Sequence, residues 1–193
     1  GYTAMTSLAL GSKFNTANVT TMEKMFYQTG ENKLETLNLG SQFNTSKVTN
    51  MVYMFRECGF SSMTSFSLGN LFDTSTVTDM NNMFYQFGCE NLQSLNLGDK
   101  FNTSKVINMD FMFAGCGQNK MTTLDLGDKF YTTSAERMNY MFHATGQYLM
   151  TTLDLGPAFT KISTQNHDNV FNEDTGKSGC VIHAPESIFQ DKN

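Results

Sequence analysis

Charge is scarce in this sequence: Asp, Glu, Lys and Arg make up 16% of its 193 residues, where about a quarter is usual for a soluble domain. The 13 basic residues are scattered and the net charge is -5. There is no Lys/Arg stripe to neutralise phosphates and no polybasic run for anionic lipid, so nucleic acid is not an expected partner. Long apolar runs are missing too. Nothing approaches the roughly 20 residues a membrane span needs, and no membrane insertion is expected of this stretch. Gly1 opens directly into repeat sequence, with neither a basic n-region nor an apolar h-region. Any secretion signal, linker or wall anchor is therefore expected to lie outside residues 1–193.

Cysteine is also sparse. Cys58, Cys89, Cys116 and Cys180 are too few for a disulfide scaffold and lack the CxxC pairs of a zinc site. His143, His167 and His183 are spread along the chain, and no Ser-His-Asp or Cys-His arrangement recurs at a useful spacing. Asp99, Asp125, Asp128 and Asp154 gather toward the C-terminal end, but no D-x-D-x-D calcium spacing accompanies them. No catalytic residues, metal or cofactor are expected.

What the sequence has is a period. Units of 29 residues start at Met5, Leu34, Met63, Leu92, Met121 and Met150. A second column reads Leu8, Leu37, Phe66, Leu95, Leu124, Leu153 and a third Leu10, Leu39, Leu68, Leu97, Leu126, Leu155, each third-column residue followed by glycine. Three residues past that glycine stands a phenylalanine: Phe14, Phe43, Phe72, Phe101, Phe130 or Phe159. The second half of each of the first five units carries Met-x-x-Met-Phe, as in Met51, Met54 and Phe55. All 14 methionines fall in three columns, and at that spacing they read as flexible core filler. A repeat of this length predicts a solenoid, in which stacking turns the columns into continuous ladders.

Within a unit, Leu34-x-x-Leu37-x-Leu39 ends in period-two alternation and predicts a short strand. Val48, Met51, Met54 and Phe55 fall at i, i+3, i+6 and i+7. That stripe follows the Thr45-Ser46 pair as N-cap and precedes Gly59 as αL C-cap, so it predicts a short helix. The expected fold is an α/β solenoid, a right-handed leucine-rich-repeat-like coil with short parallel strands on one face and short helices on the other. Residues 1–161 hold five full repeats and the strand half of a sixth, and 162–193 form a degenerate C-terminal cap, all in one structural domain. In that sixth unit Thr164, His167 and Val170 replace the Val and Met columns, while Phe171 stays in register. Cys180-Val181-Ile182-His183-Ala184-Pro185 reads as a last strand stopped by proline.

Stacking at about 4.8 Å per step places Cys58 and Cys116, two units apart, beyond the roughly 7 Å limit for a bridge. One bridge to Cys89 is geometrically open; buried free thiols are the alternative.

The outward strand columns read Ser7, Thr36, Ser65, Ser94, Thr123, Thr152 and Ala9, Asn38, Ser67, Asn96, Asp125, Asp154. Together they form a flat strip of short donors and acceptors. Thr36, Asn38, Ser65, Ser67, Ser94, Asn96, Thr123, Asp125, Thr152 and Asp154 are the candidate ligand-binding residues. The same ladder is also an ordinary way to solvate an exposed strand.

The string Phe43-Asn44-Thr45-Ser46-Lys47-Val48-Thr49-Asn50-Met51, followed by Tyr53-Met54-Phe55 and echoed from Phe101 to Phe113, resembles the BspA-like leucine-rich repeats of bacterial surface proteins. That repeat type also occurs in mycoplasma and lactobacillus surface proteins. The resemblance covers the chain from Met5 to Pro185. It implies an extracellular, cell-surface location and a non-enzymatic adhesion role toward a host matrix or cell-surface protein or glycan, or toward other microbial cells. It carries no catalytic residues. The alternative is a spacer that displays another domain and has no ligand of its own.

Overall fold

The computed structural model describes residues 4–162, 169–172 and 174–189. Seven three-residue strands recur along the chain: β1 Ser7–Ala9, β2 Thr36–Asn38, β3 Ser65–Ser67, β4 Ser94–Asn96, β5 Thr123–Asp125, β6 Thr152–Asp154 and β7 Val181–His183. In β2 to β5 the central residue is buried and its neighbours are exposed, as period-two alternation requires. Every pairing is parallel and in 29-residue register, Leu8 beside Leu37, Phe66 beside Leu95, and Leu124, Leu153 and Ile182 in one row. The molecule is a parallel β-solenoid of about six turns.

The last strand expected before Pro185 is β7, and it extends the strand side of the period by one coil, with Ile182 beside Leu153. A single 3-10 turn, Glu186–Phe189, follows Pro185. Phe171 also holds its column and stacks on Phe142 at 5.3 Å. Thr164 and His167 lie outside the described residues.

The expected helices are not there, and the short 3-10 turn is the only helical element among the described residues. Instead, the Val48 to Gly59 segment and its counterparts form a ladder of tight turns. Amides alternate in their use. Met51, Tyr53, Phe55 and Glu57 donate to Asp79, Asn81, Met83 and Tyr85 of the next coil, while Met54, Arg56 and Cys58 donate locally to residues three back. Residues in the left-handed region, Tyr53 and Glu57 (φ 58 and 56), break each turn before an α-helix can propagate. Thr21, Asn50, Asp79, Asn108 and Arg137 continue this side as an unbroken row of parallel bridges.

The physical reason is width. An α-helix with its side chains is about 10–12 Å across, whereas neighbouring strands lie about 4.8 Å apart. Helices on one face would force the coils to fan out. Here the two faces keep nearly the same spacing, because Phe26, Phe55, Phe84, Phe113, Phe142 and Phe171 stack almost parallel at 5.3 to 5.7 Å. Turns bonded three residues apart put the same side chains on one face as a helix does, which is why the sequence stripe misleads.

The interior is a set of such columns. Val48, Met51, Met54 and Phe55, with their copies in the next coils, are fully buried. The Thr45-Ser46 pair is no helix cap. Thr45 is buried, and its hydroxyl donates to the Asp73 carbonyl at 2.8 Å; Thr16, Thr74 and Thr103 repeat this toward Asn44, Asn102 and Tyr131. The glycine column is in the αL region as expected, but for packing: a Cβ on Gly88 would lie 2.6 Å from Leu92 Cβ.

Phe113→Ala removes one ring from the middle of the stack and is expected to cost about 3–5 kcal/mol in urea unfolding. Thr74→Val removes the buried hydroxyl that both donates to the Asn102 carbonyl and accepts from the Asn102 amide, and should cost about 1–3 kcal/mol. The far-UV circular dichroism of the intact chain is expected to be β-like; a strong helical double minimum contradicts the turn ladder.

Candidate functional site

The strand face carries the ten candidate residues, and there the solenoid is interrupted. Hydrogen-bonded ladders join β1 to β2, β3 to β4, and β5 to β6 to β7; among the described residues none joins β2 to β3 or β4 to β5. Glycine geometry reports the same seams. A Cβ on Gly40 would lie 2.3 Å from the Gly11 carbonyl oxygen, and on Gly156 2.2 Å from that of Gly127, whereas Gly69 and Gly127 face open space.

Each seam opens a crevice. The one between β2 and β3 encloses about 520 Å³, and Thr36, Asn38, Ser65, Ser67, Ser94 and Asn96 all line it. The one between β4 and β5 encloses about 340 Å³ and is lined by Leu95, Asn96 and Asp125; a neighbouring hollow of about 490 Å³ over the turns beyond the strands includes Asp125 and Asp154 with Asp99 and Asp128. Thr123 is exposed beside it and Thr152 is half-buried. The two outward columns differ in freedom. Asn38, Asn96, Asp125 and Asp154 each accept a bond from the backbone N–H of the glycine two residues on, at 2.8 to 3.0 Å. These are Asx turns that end the strand. Thr36, Ser65, Ser94 and Thr123 carry no such duty.

The acidic end is a solvated edge. His183 approaches the Asp154 carboxylate at 3.7 Å, and Lys129 donates to the Asp99 carbonyl. Among the described residues no group of three or more His, Cys, Asp and Glu is placed to hold a metal ion. His143 contacts Asn172 and Asp174 at the other side of the molecule from His183, and His167 lies outside the described residues.

A second surface escaped the sequence reading. Two columns of the turn ladder, three residues apart, form a zigzag band of half-buried rings: Tyr27, Tyr53, Tyr85, Phe111 and Tyr140. Tyr27 meets Tyr53 at 6.4 Å and Phe111 stacks on Tyr140 at 5.2 Å. The Arg56 guanidinium sits 5.3 Å from the Tyr53 ring and 4.4 Å from that of Tyr85, a cation–π pair that also meets Glu57 at 2.9 Å. Tyr53, Phe111 and Tyr140 adopt φ of 58, 55 and 53, a conformation that costs a bulky residue about 1–2 kcal/mol. Asn82 and Asn169 serve in the same column at less strain. The signal was legible only as two columns of rings three residues apart.

The chain matches the family model described as Mycoplasma protein of unknown function, DUF285, over residues 3–86 and 57–177. It belongs to that family. The two matches overlap over 57–86, one coil's length, as a model of a tandem repeat does when it slides along a solenoid. No curated protein matches the chain, and no solved structure does.

Cys58, Cys89 and Cys116 are buried free thiols and Cys180 is half-buried. Burial pushes the Cys58 thiol up to about 12 from an ordinary 9.0. It lifts Cys89 to about 11, with help from the Glu90 charge, and raises Cys116 further. A thiol whose folded pKa is raised stabilises the fold fully below its unfolded pKa, and that contribution is lost as pH rises through the folded value. Unfolding free energy is therefore expected to fall between about pH 9.0 and about 12 and to fall less in Cys58→Ala. In the native protein at neutral pH, iodoacetamide should label Cys180 first and Cys58 and Cys116 only after denaturation, as read by peptide mass spectrometry.

Proposed function

We propose that this chain is a non-enzymatic surface-binding module of the BspA-like kind, displayed outside the cell, whose strand face holds a host or microbial protein or glycan. The observation that carries the reading is the seam between β2 and β3. It opens a crevice of about 520 Å³ beside the Thr36, Ser65 and Ser94 hydroxyls, with Leu37, Leu39, Phe66 and Leu68 as well as Asn38 and Asn96 in its lining. Backbone groups at an interrupted ladder are strong donors and acceptors with no strand partner across the gap, and short side chains let a ligand reach them. That combination suits an extended peptide or a polyhydroxylated chain. A ligand there covers apolar and polar lining together, so affinity depends on shape at the seam more than on charge.

The test uses side chains that do not hold the fold. Thr36→Lys, Ser65→Lys and Ser94→Lys, combined in one chain and checked by circular dichroism, leave every Asx turn in place. Binding of the wild-type chain to matrix-protein and glycan arrays is expected, with at least a tenfold loss in the triple variant. Unchanged binding overturns the strand face as the contact. A folded wild-type chain that binds nothing in either array overturns the module itself and favours a spacer that holds a neighbouring domain away from the surface.

A further inference from the structure

The aromatic band on the turn-ladder face has one gap. The column that carries Tyr27, Arg56, Tyr85 and His143 has Ala114 in the fourth coil, and the adjacent column has Gly115 there. The missing side chains leave a notch of about 130 Å³, with Tyr85 and His143 as its walls, Ala114 and Gly115 as its floor and the Gln86 and Gln118 amides at its rim. Tyr85 and His143 are two coils apart, about 9.6 Å at strand spacing. We propose that this notch is a subsite for one uncharged sugar ring of an oligosaccharide, distinct from the strand-face strip.

Size limits the occupant first. The notch holds about four waters at roughly 30 Å³ each, well under the roughly 300 Å³ at which sites for whole small molecules begin. It seats one ring of a larger ligand, whose remainder runs along the band over Phe111 and Tyr140 on one side and Arg56 and Tyr53 on the other. Chemistry limits it next. Arg56 covers one face of the Tyr85 ring, and the side of that ring toward the fourth coil lines the notch. The floor is apolar, with Ala114 itself buried. Among the described residues neither the Gln86 amide nor the Tyr85 hydroxyl has a side-chain partner. A hydrocarbon side chain from a protein would cover those groups and leave them unpaired, which disfavours it. An ionic group would find no opposite charge in the lining: the one titratable imidazole, His143, is held by Asn172 at 2.6 Å and faces Asp174 at 4.0 Å. A pyranose offers what is left, an apolar face for the rings and floor and a hydroxyl edge for the Gln86 amide and the Tyr85 hydroxyl; the Gln118 amide at the rim is already held by Gln147 and Cys89.

Ala114→Tyr tests this, with folding checked by circular dichroism; Tyr85 and His143 already occupy the same column in the neighbouring coils. The intact chain is applied to an array of uncharged oligosaccharides ending in glucose, galactose, mannose or N-acetylhexosamine, with sialylated and sulfated counterparts. Binding to an uncharged terminal sugar is expected, displaced by the free monosaccharide, at least tenfold weaker in Ala114→Tyr and several-fold weaker in Gln86→Ala. Absence of binding to every uncharged glycan overturns the proposal, as does exclusive binding of acidic ones. Loss of binding in the strand-face lysine variant with none in Ala114→Tyr assigns the glycan to the strand crevice and overturns the notch alone. Loss in Ala114→Tyr with binding intact in the lysine variant has the opposite meaning.

Discussion

The spacing between coils is the constraint on which every other feature depends. Strand pairing sets a rise of about 4.8 Å per coil, and whatever stands opposite the strands has to be stackable at nearly that rise. A ladder of turns satisfies it and a helix does not. Once coils repeat at that distance, identical side chains fall on top of one another. The chain then needs residues that gain from meeting their own kind. Phenylalanine does so by stacking, with six rings nearly parallel down the core. Methionine does so by adapting its shape.

The same constraint explains the low charge and the wealth of Asn, Thr and Ser. A like charge in every coil would be stacked at strand distance on its own copy, whereas a hydroxyl or carboxamide can donate to the next coil and accept from its own. Buried Thr45, Thr74 and Thr103 do this toward carbonyls one coil on. Asn44, Asp73 and Asn102 close the corner by accepting from the amide two residues later. Asp110, the one deeply buried carboxylate among the described residues, is answered by Arg137 and by the backbone and side-chain nitrogens of Asn139. Polar side chains here are structural rungs, and buried side-chain groups without partners are absent among the described residues.

The repeat, its strands and their register were legible in the sequence because alternation around Leu37 or Leu124 has one structural meaning once the period is known. The back of the coil was not. Val48, Met51, Met54 and Phe55 share a face in a helix and in a series of three-residue turns alike. Nothing in their spacing records that every second amide reaches across to another coil. Asn82 and Asn169 held part of the missing clue, since asparagine tolerates a left-handed backbone, but Tyr53, Phe111 and Tyr140 in the same column concealed it. The strip on the strand face was read correctly as outward and polar. The seams beneath it were invisible, because β2 and β3 have the same pattern as strands that pair.

Those seams follow a longer alternation. Units starting at Leu34 and Leu92 share Phe-Asn-Thr-Ser-Lys-Val and a cysteine, Cys58 or Cys116, that their neighbours lack, so the chain also repeats in pairs. Pairing follows a matching rhythm, with β1 bound to β2 and β3 to β4 but not β2 to β3. Phe66, larger than the leucines of its column and wedged against Phe55 and Phe87 at 5.3 and 5.2 Å, accounts for the first seam by volume; no comparable residue stands at the second. What keeps both open is the other side of the coil. Bridges from Thr21 to Arg137 run without interruption, so closing a seam on the strand face requires tilting coils that the turn ladder and the phenylalanine stack hold parallel. Rigidity on the back therefore pre-forms the crevices on the front, and a ligand that enters them meets its partners without first paying to order the chain.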